Sequence, residues 1–325
     1  MKAVIYSNYG SPDVLRWEEM EKPVAADKEV LIKVRAASVN PLDWHFLRGT
    51  PYFLRLMAGL RKPKETRVGV DVAGQVEAVG SHVTQFKPGD AVFGSCRGAF
   101  AEYVCAAESA LVLKPVHLTF EQAAAVPVAG FTALQGLRDK GKIRPGQKVL
   151  INGAAGGVGT FAVQIAKALG AEVTGVCSTR NLEMVRSIGA DRVMDYTRED
   201  FTQSGQRYDL IFECVGNHSF LACRRALNPN GIYIGCGGGG PEIKWMIAPL
   251  AGMIAGQVFS RFVSQKSVGF IAKPNKEDLT FLCQMIEAGK ITPVIDRSYK
   301  LSETSAAIRY LEAGHARGKV VLTME

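Results

Sequence analysis

The sequence predicts an α/β protein in two parts, a β-rich antiparallel domain and a doubly wound parallel sheet, and three observations lead to that class. Through the first 120 residues, apolar strands such as "KEVLIKVRAASVN" (28–40), "GVDVAGQVEAVG" (69–80) and "GDAVFGSCRGAFAEYVCAAESALVLKP" (89–115) are punctuated by Gly, Pro and Asp. That pattern suits a compact, barrel-like antiparallel domain. From about residue 146 the period changes, and short apolar strands alternate with amphipathic helices, the signature of βαβ units. A chain of 325 residues that is 47% hydrophobic can also bury two substantial cores.

The elements follow in order. "MKAVIYSNYG" begins as an alternating strand with no apolar signal core. "LTFEQAAAVPVAGFTALQGLRDK" (118–140) reads as helix, opened by a capping box of Thr119 and Gln122 and divided in two by Pro127. The parallel strands are expected at 148–152, 172–177, 192–196, 208–216, 231–238 and 267–272, with helices at 157–169 and 180–188. In the tail, one helix is capped by Asn275 and closed by Gly289, and a second opens at Ser302 and closes at Gly314. A last strand covers 319–324.

Composition narrows the partners. The net charge of +8 is spread along the chain apart from "RLMAGLRKPKETR" (55–67), and no basic cluster is interleaved with stacking aromatics. Nucleic acid is therefore excluded, and an anionic small ligand accounts for the excess. Seven scattered cysteines without a CxxC pair indicate reduced thiols in a cytoplasmic setting. The uncharged run 245–260 is shorter than the ~20 residues needed to span a bilayer and is broken by Pro249, Gly252 and Gly256. It reads as a buried or interface segment, with peripheral membrane contact or the lining of a greasy substrate site as alternatives.

"KVLINGAAGGVGTFAVQIAKALGAEV" sets Gly153, Gly156, Gly157 and Gly159 between a strand and a helix whose Val158, Ala162, Ile165 and Leu169 share one face. This is the context of a dinucleotide fingerprint, in which glycines let the backbone approach a pyrophosphate at a helix N-terminus. The backbone of Ala155, Gly156, Gly157 and Val158 is the expected contact. Ala154 stands where the GxGxxG spacing would put glycine. An acid gripping a ribose hydroxyl belongs at the end of the second strand, yet the chain has Cys177, Ser178, Thr179 and Arg180 there. Hydroxyls and a fixed cation suit a 2′-phosphate, so NADPH is expected over NADH.

With these motifs in hand, the chain resembles the medium-chain dehydrogenase/reductase superfamily, in its zinc-free quinone oxidoreductase branch. The resemblance runs end to end through "ASVNPLDW", "GVDVAGQVEAVG", "FKPGDAVFG", "GAFAEYV", "AAAVPVAGFTALQGL", "GAAGGVG", "GADRVMDY" and "GHARGKVVL". It implies a GroES-like catalytic domain (1–123 and 271–325), a Rossmann domain (124–270), NADPH as cofactor and a homodimer. Zinc alcohol dehydrogenases carry cysteine where Asn40 stands and Gly-His-Glu where this chain has Gly69, Val70 and Asp71. Those substitutions, and the missing four-cysteine lobe, leave no tetrahedral zinc site, so no metal is expected.

Without a Lewis acid, a quinone or conjugated enone is the easier hydride acceptor, because the incoming charge delocalises. The resemblance implies Asn40 beside the nicotinamide, Thr132 at the nicotinamide end and Tyr52 lining the substrate cleft, where it orients or protonates the acceptor. It further implies Tyr196 near the adenosine phosphate, backbone contacts at Val215, Gly216 and Gly235–Gly237, and main-chain contacts to the carboxamide at Phe270 and Ile271. Lys167 is a solvated helix residue that the family sometimes turns toward the cofactor. Asp43 and His45, two apart near a turn, are a weaker acid–base candidate. The basic, lengthened stretch 51–67 points to a lipophilic acceptor or to lipid contact. Two other readings stay open: a 2-enoyl thioester reductase, and a non-catalytic NADPH-binding structural or regulatory protein.

Overall fold

The structure, a computed structural model, describes residues 1–236 and 263–324. The run 245–260 and Gly237 lie outside the described residues. In chain order the elements are β1 (Lys2–Ile5), β2 (Arg16–Glu19), β3 (Glu29–Val39), α1 (Pro41–Arg48), α2 (Leu54–Ala58), β4 (Asp71–Val79), β5 (Ala91–Ser95), β6 (Tyr103–Ala107), β7 (Leu111–Leu113), α3 (Phe120–Ala124) and α4 (Pro127–Leu134). They continue as β8 (Lys148–Asn152), α5 (Gly157–Ala168), β9 (Glu172–Cys177), α6 (Leu182–Ser187), β10 (Arg192–Asp195), β11 (Tyr208–Glu213), α7 (Phe220–Cys223), β12 (Leu227–Gly235) and β13 (Lys266–Gly269). The tail adds α8 (Lys276–Glu287), β14 (Ile295–Lys300), α9 (Thr304–Glu312) and β15 (Lys319–Thr323).

The chain separates into two compact units, one of Met1–Val128, Pro274–Glu287 and Pro293–Glu325, the other of Ala129–Lys273 and Ala288–Thr292. In the first, β14-β15-β3-β4-β5-β7 form one sheet, and β6 pairs with β3 as well. The eleven-residue β3 serves three neighbours: its N-terminal half pairs with β6, its C-terminal half with β15, and its other edge with β4. Inward Val30, Ile32, Val34 and Val39 join Val72, Val92, Phe100, Leu111 and Val320 in the core.

The second unit is a six-stranded parallel sheet of order β10-β9-β8-β11-β12-β13. The order reverses between β8 and β11, so a crevice opens outside the carboxyl ends of those strands, where α/β sheets bind ligands. Leu150, Val176, Ile211 and Leu227 fill the core against Phe201 and Phe220.

Several boundaries differ from the sequence reading. β12 starts at Leu227 and passes through Asn230 in a left-handed conformation (φ 65°), where a strand from Gly231 was expected. β13 stops at Gly269, which puts Phe270 and Ile271 beyond the strand. The last helix does not open at Ser302: a 3₁₀ turn, Leu301–Glu303, precedes α9. There the Glu303 carboxylate accepts from the Lys300 N–H (2.8 Å) and the Thr304 hydroxyl donates to the Leu301 carbonyl (2.6 Å). Among the described residues, no helix is long and apolar enough to cross a membrane.

Candidate active site

β8 ends at Asn152, and Gly153 turns the chain with φ 80°. A side chain on Gly159 would place Cβ 2.0 Å from the Gly153 carbonyl, so the turn lies flat against the first turn of α5. Gly156 is the N-cap of this twelve-residue helix, and a Cβ there would touch nothing nearer than the Gly153 oxygen at 3.4 Å. The helix thus begins in a cradle of backbone N–H groups that no described atom crowds at Gly156, which fits a pyrophosphate. Ala155 is buried, while Gly156, Gly157 and Val158 are half-buried at the rim.

At the end of β9, Ser178 is half-buried and Thr179 and Arg180 are exposed. The neighbouring strand ends on Asp195, in register with Cys177. Thr179 departs from expectation here: its hydroxyl donates to the Asp195 carboxylate, so its proton is not offered to a ligand. Thr197 adds its N–H (3.0 Å) and hydroxyl (2.8 Å) to the same carboxylate, and Arg198 lies 3.6 Å away. The Thr179 bond, with those of Thr197, holds Asp195 below the usual carboxylate range. Ser178 only accepts, from the Asn181 amide at 3.2 Å, so its own hydroxyl proton is available. Tyr196 is exposed beside this strand end.

The sequence reading missed the polar anchor at the switch point. Glu213, fully buried at the end of β11, accepts from the Val215 N–H (2.8 Å), the Gly216 N–H (2.9 Å) and the Asn152 amide (2.9 Å). Asn152 also donates to the Asn217 side chain at 2.8 Å. The carboxylate therefore holds the loop after β11 by its backbone, with Val215 exposed and Gly216 at φ 79°. An acid at the end of "YDLIFE" was the available signal. Gly235 ends β12 next to that loop. Thr132 is half-buried in α4, Phe270 is half-buried, and Ile271 is exposed. Lys167 pairs with Asp191 at 2.8 Å.

In the first unit, Asn40 is 2% exposed and caps α1. Its amide donates to the Asp71 carboxylate (2.9 Å) and the Ser38 carbonyl (3.1 Å), and its Oδ1 accepts from Lys319 Nζ (2.5 Å). Lys319 also lies 3.7 Å from Asp71, and both are buried. The Ser38 hydroxyl (2.8 Å) and the Val128 N–H (3.1 Å) complete the shell of Asp71. Burial raises the Asp71 carboxyl and lowers the Lys319 ammonium, while their attraction opposes both shifts. Both amide hydrogens of Asn40 are thus spent within the protein. Asp71 and Lys319 were visible only as members of "GVDVAG" and "GKVVL".

Asp43 and His45 do not pair. Asp43 accepts from the Asn40 N–H at 2.7 Å and is pushed up to about 8 by burial. The His45 ring bonds to the Thr50 carbonyl at 2.7 Å, and burial lowers its pKa. Tyr52 is 36% exposed with the Arg55 guanidinium over its ring, and Phe53, Leu56, Met57 and Leu60 nearby are exposed as well. Among the described residues, no group of three or more His, Cys, Asp or Glu side chains is placed to hold a metal ion.

A parallel sheet with a glycine cradle at its switch point, joined to a β-rich unit that contributes both chain ends, defines a dinucleotide-dependent dehydrogenase or reductase. The chain belongs to the medium-chain dehydrogenase/reductase superfamily, in its quinone oxidoreductase branch. Residues 26–116 match the alcohol dehydrogenase GroES-like domain, and residues 188–322 match the family described as zinc-binding dehydrogenase. The chain is 34% identical to the chloroplast envelope quinone oxidoreductase homolog of Arabidopsis thaliana, over 99% of this chain and 98% of that one. It is 35% identical to the NADPH-dependent alkenal/one oxidoreductase, chloroplastic, of the same plant, over 99% and 79%. The quinone oxidoreductase from Coxiella burnetii superposes with a TM-score of 0.87 at 31% identity, covering 100% of this chain and 99% of that chain.

Proposed function

We propose that this chain is an NADPH-dependent reductase that passes a hydride to quinones or α,β-unsaturated carbonyls without zinc. The observation that carries the reading is the end of β9. Asp195, the acid in reach of a ribose there, is engaged by Thr179 and Thr197, while Ser178 and Arg180 stand at the rim. A hydroxyl donor and a fixed cation suit a 2′-phosphate. A relative that this chain matches over 99% of its own length and 79% of the relative's is an NADPH-dependent alkenal/one oxidoreductase by name.

NADPH, when bound, would supply the hydride. The turn from Gly153 to Gly159 and the N-terminus of α5 take the pyrophosphate, and Tyr196 flanks the adenosine phosphate. The backbone at Val215, Gly216 and Gly235 follows the cofactor along the strand ends. Thr132 and the main chain at Phe270 and Ile271 hold the nicotinamide end. Tyr52 orients the acceptor and gives a proton to the oxygen on which charge develops. Asn40 is a positioning residue that keeps Asp71 and Lys319 together.

The zinc-free part of the reading rests on the residues present. Val70 offers no ligand atom, and the Asn40 oxygen is engaged by the Lys319 ammonium, a cation already in place beside Asp71. Exposed Phe53, Leu56, Met57 and Leu60 near Tyr52 support a lipophilic acceptor, with peripheral lipid contact as the other use of that surface. A homodimer is the proposed assembly, on the family resemblance, and a cytoplasmic setting the proposed location, on the scattered cysteines of the sequence; light scattering and cell fractionation test the two.

The cofactor reading is tested by Arg180→Ala. Loss of a charge-assisted contact worth ~1.5–3 kcal/mol lowers NADPH affinity by about tenfold or more and leaves NADH affinity unchanged. Calorimetric titration that finds NADPH affinity unaltered would overturn the assignment.

A further inference from the structure

Cys214 follows β11 and Cys236 follows β12, two adjacent parallel strands paired through Glu213 and Gly235. Their sulfurs are 3.6 Å apart, with the Cys236 thiol directed at Cys214 and also at the Glu213 carbonyl (3.5 Å). Both are half-buried as residues, as are Cys96 and Cys105, whereas Cys177, Cys223 and Cys283 are buried. A disulfide needs sulfurs at ~2.05 Å, so closure calls for a movement of roughly 1.5 Å just beyond the ends of β11 and β12. The contact with Cys236 and burial raise the Cys214 thiol well above its ordinary value.

We propose that Cys214 and Cys236 are a redox modification site, oxidised by peroxides to an intramolecular disulfide that lowers the affinity of the switch-point loop for its dinucleotide. In the first step one sulfur gives an electron pair to the peroxide O–O bond, which breaks to leave a sulfenic acid and one water. The second sulfur then attacks the sulfenic sulfur, its thiol proton leaves with the displaced hydroxyl as a second water, and the S–S bond forms. One peroxide is reduced by two electrons, and two thiols are oxidised.

The consequence for binding rests on the reading of Val215 and Gly216 as cofactor contacts. Cys214 sits between Glu213, which anchors those two N–H groups, and Val215 itself. Drawing Cys214 toward β12 shifts the loop off that anchor. By linkage, a bound dinucleotide opposes oxidation by the same factor that oxidation weakens binding.

The test treats the full chain with hydrogen peroxide, with and without saturating NADPH. It then counts thiols, maps cross-linked peptides by mass and titrates NADPH into the reduced and oxidised forms. The result expected is loss of two of the seven thiols, a dithiothreitol-reversible link between the peptides holding Cys214 and Cys236, slowed by NADPH, and NADPH affinity reduced by at least about fivefold. Cys214→Ser abolishes the link, and Cys105→Ser leaves it intact. Seven thiols surviving, a link between other cysteines, or equal NADPH affinity in both forms overturns the proposal. A reduced protein that binds no NADPH overturns the cofactor reading instead, whatever the peptides show.

Discussion

Both hydrogens of the Asn40 amide are taken within the chain, by Ser38 and by Asp71, and its oxygen by Lys319. Thr179 likewise gives its proton to Asp195. Side chains that the sequence singles out at the site are thus bound to internal partners, and these were hidden by separation along the chain. Asp71 is 31 residues from Asn40, Lys319 is 279 away, and Asp195 is 16 from Thr179. No local pattern displays such pairs, whereas the place of Ser178 and Arg180 just after β9 was legible because the strand itself defines it. The Asp71–Lys319 pair carries a stability prediction. Lys319→Met leaves a buried carboxylate without its counter-charge and costs about 3–5 kcal/mol, as read from urea unfolding. Adding Asp71→Asn recovers part of that loss, because the uncompensated charge is gone; a double variant no more stable than the single one would show that the pair's electrostatics are not what matters.

At the level of elements, periodicity served best where a strand or helix is bounded by strong local signals. β8, β9 and α5 fall where apolar runs and glycines put them. The start of β12 was hidden because Pro229 and Gly231 read as a turn, yet the strand continues through a register shift at Asn230. Ser302 looks like a cap from sequence, but the turn is closed by Glu303 and Thr304 instead. The βαβ turn is the element on which the proposed dinucleotide binding depends most directly. In Gly159→Ala the new Cβ meets the Gly153 carbonyl, a backbone atom that cannot rotate away. The substitution should cost about 1–3 kcal/mol in stability and abolish detectable dinucleotide binding, measured by thermal unfolding and by NADPH fluorescence. Undiminished binding would mean the turn does not hold the pyrophosphate.

Across the whole molecule, the change from antiparallel strands to βαβ units was visible in the sequence as a change of period; the sequence reading set its boundaries at 123/124 and 270/271, whereas the compact units part at Val128 and Lys273. The assignment of Ala288–Thr292 to the second unit was not legible. That link depends on the Gln164 side chain, which donates to the Thr292 carbonyl (3.0 Å) and accepts from its N–H (2.8 Å), a partnership across 128 residues. A hydride transfer that draws on NADPH and on no metal is the central proposal for this chain. The most direct measurement is NADPH oxidation against benzoquinone, a short enal, a long-chain enone and crotonyl-CoA, each with NADH in its place and each with a chelator. Turnover of quinone or enone with NADPH, unaffected by the chelator, is the predicted result; activity that disappears with the chelator and returns with zinc, or no turnover by protein that binds NADPH tightly, would contradict it.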